Sequence, residues 1–127
     1  MRNLILTFLV LSTITSCGQK KQDRITLGKD YANEELKSAL TDTIKHNLIN
    51  NSTRIIKDSL TATTIAETVL FNLYGKTNII KQQPYEINHI NNYWVLNGTL
   101  PKGTLGGTFL IIIDDRNSRI IRITHGK

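Results

Sequence analysis

One cysteine, one tryptophan, two prolines and three histidines are all that the 127 residues hold of those types, and each scarcity excludes something. Cys17 has no second thiol to pair with, so no intramolecular disulfide can staple the fold. His46, His89 and His125 stand far apart with no further ligand at a zinc-like spacing, so they read as surface or half-buried residues. No metal and no other cofactor is expected. Long apolar runs are missing too: the stretch from Leu4 to Ile14 falls well short of the ~20 residues a membrane-spanning helix requires. Acids are outnumbered, ten against sixteen Lys and Arg, for a formal net charge of +6. The cations scatter, however, and only Lys20-Lys21 and the set Arg116, Arg119 and Arg122 look grouped. A nucleic-acid binder would show a dense basic stripe with interleaved aromatics, so nucleic acid is not an expected partner. The mild positive balance suits an acidic surface instead, either anionic lipid or an acidic protein.

Catalytic constellations are also lacking. Asp114-Asp115 are adjacent at a strand end, where neighbouring side chains point to opposite faces, so they cannot form a facing acid–base pair. They read as part of a polar turn. Gly103-Thr104-Leu105-Gly106-Gly107 has neither the Lys-Ser/Thr nor the following helix of a phosphate-binding loop, and reads as a connector. No serine lies in a nucleophile-elbow context. The expectation is a protein without enzymatic activity and without catalytic residues.

What is present begins at the N-terminus. Arg2 and the amino terminus form a short positive region, Leu4 to Leu11 are almost wholly apolar, and Ile14-Thr15-Ser16-Cys17 closes the segment. A charged start, a short apolar core and small residues at the exit mark a secretory signal. With Cys17 directly after Ser16, the segment resembles a bacterial lipoprotein signal, cleaved after residue 16 and acylated on Cys17. Each buried CH₂ of an acyl chain contributes ~0.8 kcal/mol, so more than one chain gives stable anchoring. Cleavage removes Arg2 and lowers the formal charge to +5. Residues 17–29, polar and without apolar periodicity, read as a flexible tether. The expected location is the cell envelope, lipid-anchored to a bacterial membrane at its periplasmic or outer-membrane face.

The remainder, 30–127, reads as a single domain. Leu36, Ala39, Leu40 and Ile44 fall at helical steps and predict a helix from about Tyr31 to Lys45. Arg54 to Asp58 is too short to assign, and Ile55-Ile56 fit a small strand or a packed linker. Ala62, Ile65, Ala66, Val69, Leu70 and Leu73 make a helical face over Leu60–Tyr74. A capping-box pattern spans Thr64–Glu67, and Gly75 supplies the stop. Beyond Pro84 four strands follow: Tyr85–Ile90, Tyr93–Thr99, Thr108–Ile113 and Arg119–Thr124. A tight turn is expected at Asn91-Asn92, and Ile121 and Ile123 are expected on one face. Thr108–Ile113 is apolar on both faces, as a central strand should be. Tyr93 and Trp94 face opposite ways, so Trp94 is assigned to the core and Tyr93 to the surface. The class is α+β, one or two helices packed on a four-stranded antiparallel meander.

The order of the motifs carries a resemblance. Ala62-x-x-Ile65-Ala66-Glu67-x-x-Leu70 leads into Tyr74-Gly75-Lys76, then Pro84-Tyr85, Tyr93-Trp94-Val95 and Gly98-Thr99-Leu100-Pro101. Gly106-Gly107-Thr108-Phe109 and Ile123-Thr124-His125-Gly126-Lys127 complete it. From about Arg54 to Lys127 the chain resembles the nuclear-transport-factor-2-fold immunity proteins of bacterial polymorphic toxin systems. The resemblance implies a cystatin-like or nuclear-transport-factor-2-like fold and a protein that binds and neutralises a cognate toxin without catalysis. An exported anchor then implies a toxin met outside the inner membrane. Expected contact residues are Tyr93, Pro101, Lys102, Arg119 and Arg122. The alternative is a small envelope lipoprotein that binds a peptide or small ligand in a pocket between helix and sheet.

Overall fold

The computed structural model describes residues 24–41 and 47–126. The signal segment, Cys17 and His46 lie outside the described residues. The chain divides into two units, Met1–Ile44 and Lys45–Lys127. In the first, helix α1 spans Gly28–Thr41 and buries none of its side chains. It starts three residues before the expected Tyr31, and the expected end at Lys45 falls outside the described residues.

The second unit contains α2 (Ser59–Tyr74), α3 (Lys76–Ile80) and strands β1 (Glu86–Ile90), β2 (Tyr93–Asn97), β3 (Phe109–Asp114) and β4 (Ile120–His125). Helix α2 is capped by Asp58, whose carboxylate accepts from the Thr61 amide at 2.8 Å and from its hydroxyl at 3.0 Å. These two bonds hold the Asp58 carboxyl below its ordinary pKa. The capping box expected at Thr64–Glu67 is therefore not used. Helix geometry starts more than a turn earlier, so the Thr64 hydroxyl donates back to the Leu60 carbonyl at 2.9 Å, while Glu67 accepts from the Tyr85 hydroxyl at 2.9 Å. Gly75, at φ 83°, ends α2 as expected. A second short helix, which the apolar spacing does not predict, follows at once and buries Ile79.

The strands form one antiparallel meander in the order β1-β2-β3-β4, and Asn91 takes φ 53° in the expected turn. Leu96 of β2 and Phe109, Ile111 and Ile113 of β3 are completely buried on the inner face, with Trp94 7% exposed. Against them lie Ala62, Ala66 and Leu70 of α2, spaced one turn apart, together with Ile79 and Ile56. The alanines let α2 approach the sheet closely. Leu73, expected on the same helical face, is 57% exposed because it lies beyond the edge of that stripe. The unclassified Ile55-Ile56 segment is a packed linker. Both amides donate to the Asp115 carbonyl, at 2.8 and 2.9 Å, and the Ile56 carbonyl accepts from the Trp94 indole at 3.0 Å.

Strand β4 departs from simple alternation. Its pairing slips between Ile112↔Arg122 and Ile113↔Ile120, so Ile121 is the extra residue of a bulge. Ile120 and Ile123, rather than Ile121 and Ile123, pack on the core. The two edges of the sheet therefore differ. β1 is regular and exposed along its length, whereas β4 is bulged and carries Arg122.

Candidate functional site

The open face of the sheet follows from the register. Tyr93 pairs with Asp114, Val95 with Ile112 and Asn97 with Leu110, while Ile112 and Leu110 also pair with Arg122 and Thr124 of β4. These side chains alternate with the buried inner set, so they share the face opposite α2. Val95, Leu110 and Ile112 form a half-buried apolar centre there.

Arg116 organises one end of this face. Its side chain forms two bonds to Asp114, at 2.7 and 2.9 Å, and its guanidinium lies 5.8 Å from the centre of the Tyr93 ring. The Arg116 bonds pull the Asp114 carboxyl down to about 2, and the carboxylate holds Arg116 above its ordinary range. Of the expected contact residues, Tyr93 and Arg122 share this face, and Arg119 is exposed where β4 begins. Pro101 and Lys102 are exposed in the β2–β3 connector, at the opposite end of the strands. The five do not make one patch.

Asp115, expected in a solvated turn, is instead buried completely, as is Asp114 almost entirely. The two side chains do diverge as alternation requires. Asp115 turns inward, where its Oδ2 accepts from Arg54 Nε at 2.6 Å and contacts His89 Nε2 at 2.8 Å. Its Oδ1 has no hydrogen-bond partner among the described residues. The His89 ring lies 4.6 Å from that of Trp94. This cluster joins the linker before α2, the first hairpin and the β3–β4 turn, and no local pattern in the sequence announces it. Among the described residues no group of three or more His, Cys, Asp or Glu is placed to hold a metal.

A cleft of about 370 Å³ opens at the other end of the unit. Tyr74, Asn78, Lys81 and Gln82, from the end of α2, α3 and the turn after it, form one wall, and Leu100, Leu105 and the Gly106-Gly107 main chain form the facing wall. Gln82 sits in the floor, 4% exposed. Its Oε1 accepts from the Phe109 amide at 2.8 Å, which fixes the amide orientation and directs Nε2 to the Asn78 carbonyl at 3.1 Å. The same Nε2 stands 3.2 Å from His125 Nε2, and the His125 Nδ1 donates to the Gly126 carbonyl at 2.9 Å. His125 is thus a built part of the fold, its ring tilted against that of Tyr74 with the centres 5.0 Å apart.

Two further positions are glycine because a side chain would not fit. A Cβ on Gly98 would stand 2.2 Å from Gln82 Oε1, and one on Gly107 would stand 1.9 Å from the Gly126 carbonyl group. Both permit close approach.

With helices confined to one face of an antiparallel sheet, the Lys45–Lys127 unit is an α+β domain. The family model described as NTF2 fold immunity protein matches residues 61–127, and the chain belongs to that family. The protein YhhH of Escherichia coli strain K12 is 34% identical over 74 residues, 58% of this chain and 58% of its own. YbbC of the same strain is 30% identical over 73 residues, 57% of this chain and 60% of its own. The chain thus spans under two thirds of the length of either relative. No solved structure matches.

Proposed function

We propose that the protein is a membrane-tethered immunity protein whose open sheet face binds and neutralises a cognate toxin without catalysis. The observation that carries this reading is the contrast between its acids and its cations. From Lys45 to Lys127 there are five acids and ten Lys or Arg. Each acid is engaged internally: Asp58 caps α2, Glu67 accepts from Tyr85, Glu86 from Asn97, Asp114 from Arg116, and Asp115 from Arg54. Arg119 and Arg122 remain exposed and form no ion pair among the described residues. The surface offered to a partner is therefore cationic around an apolar centre with one aromatic, Tyr93. Such a surface favours a partner with an acidic contact face. A lipid on Cys17 and the 17–29 tether raise the effective concentration of this face near the membrane.

The test is protection. Toxin candidates encoded beside this gene are expressed in the periplasm with and without the full chain. We expect one to be neutralised, and we expect Arg119→Glu with Arg122→Glu to abolish protection while the melting temperature is unchanged. Equal protection by the folded charge-reversal variant refutes the surface, and neutralisation of none refutes the role. Labelled palmitate should enter the wild-type chain and not Cys17→Ala, which should also keep its first sixteen residues. The runner-up, peptide binding between helix and sheet, is favoured by one observation, the cleft.

A further inference from the structure

We propose that this cleft receives the C-terminal end of a polypeptide whose last residue is apolar. Among the described residues its lining contains one Lys, Lys81, and no carboxylate, so the charge it complements is a single anion. Several polar groups beside it are already engaged within the fold. Gln82 bonds Phe109 and Asn78, His125 bonds Gly126, and Asn78 donates to the Tyr74 carbonyl at 2.9 Å.

The wall facing the lysine is apolar or bare. The Tyr74 ring and Leu100 flank the cleft, and Leu105 stands at its rim 98% exposed. Leu105 lies between Gly103 at φ 81° and Gly106 at φ 143°, two positions whose freedom lets the rim residue swing over an occupant. Along the same wall, Gly106 is exposed and carries no side chain, which lets another backbone lie close. An open cleft with one cation, an apolar rim and bare main chain matches a terminal carboxylate followed by an apolar side chain. A long free acyl chain requires an enclosed apolar tunnel, which this cleft does not provide.

The inference does not rest on the toxin-binding reading, and its test reads the cleft alone. The full chain is titrated with acetyl-Gly-Leu-Leu as the free acid and as the carboxamide, followed by amide NMR shifts. We expect saturable shifts at Leu100, Leu105 and Gly106, with the acid bound roughly tenfold more tightly than the amide, as one charge-assisted contact provides. Lys81→Gln should erase the preference without changing the melting temperature. Leu105→Ser should weaken both peptides alike. Equal binding of acid and amide, shifts confined to the open sheet face, or no saturation by about 5 mM (a free energy near −3 kcal/mol) overturns the proposal. Protection against a toxin would be unaffected by any of these outcomes.

Discussion

Replacing Gly98 with alanine tests the packing logic of the domain most directly. The new Cβ would sit 2.2 Å from Gln82 Oε1 and 2.8 Å from its Cβ, so the Gln82 side chain must leave its place. Its departure strips the Phe109 amide of its acceptor inside the core, which costs about 1–3 kcal/mol for a buried unpaired donor. The bonds to Asn78 and His125 go with it, adding about 1 kcal/mol. Gly→Ala returns about 0.4–1 kcal/mol by stiffening the unfolded chain. The net expectation is a loss of about 2–3 kcal/mol, which for a domain of this size lowers the melting temperature by roughly 10–20 °C. Circular dichroism melts and urea titrations of wild type, Gly98→Ala, Gln82→Ala and the double variant measure it. Because the two changes remove the same interaction, they should fall short of additivity by at least about 1 kcal/mol. Additivity within about 0.5 kcal/mol would falsify the claim that Gly98 is glycine to admit Gln82.

Asp115→Ala should cost about 2–3 kcal/mol, less than a fully dry ion pair, because Arg54 and His89 both retain partial access to water; a loss below about 1 kcal/mol would show that the cluster is ornamental to stability. Asp114, drawn down to about 2 by Arg116, contributes stability that is complete above its unfolded value and is lost as pH falls from about 4 through about 2. Melting curves should decline over that window, and Asp114→Asn should flatten the decline. Tyr85 is pushed up to about 12, first by burial and then by its bond to Glu67, so its neutral form is favoured in the fold. The linked stability is present below pH 10 and is lost as pH rises through about 12. Ultraviolet titration near 295 nm (a wavelength for tyrosinate) should show one late-ionising tyrosine, and Glu67→Gln should bring it earlier.

Periodicity made α2, the meander and the opposite fates of Tyr93 and Trp94 readable from residues alone, because each depends on neighbours within one element. Asp58 and Thr64 are both good cap residues, and nothing local decides between them; the choice is made when Glu67 is drawn to Tyr85 across the fold. The bulge at Ile121 was hidden for a related reason, since Ile120-Ile121 supply two equal candidates for one inward position. Asp115 and Gln82 were missed altogether. A carboxylate beside a turn and a glutamine in a polar stretch look solvated until distant segments close over them. The class of protein was legible in motif order, while the cleft and the cationic open face needed three dimensions.

The unequal edges of the sheet set a limit on how these molecules can add to one another. A strand can join at β1, which is regular, exposed and free of Lys, Arg and Pro from Glu86 to Ile90. At β4, the kink around Ile121 and the projecting Arg122 spoil the template. Growth through a sheet requires two usable sides, one to accept and one to offer the next position. With only one, any strand-to-strand association ends at a closed pair. The protein is thereby kept from polymerising into fibres by the irregularity of its last strand.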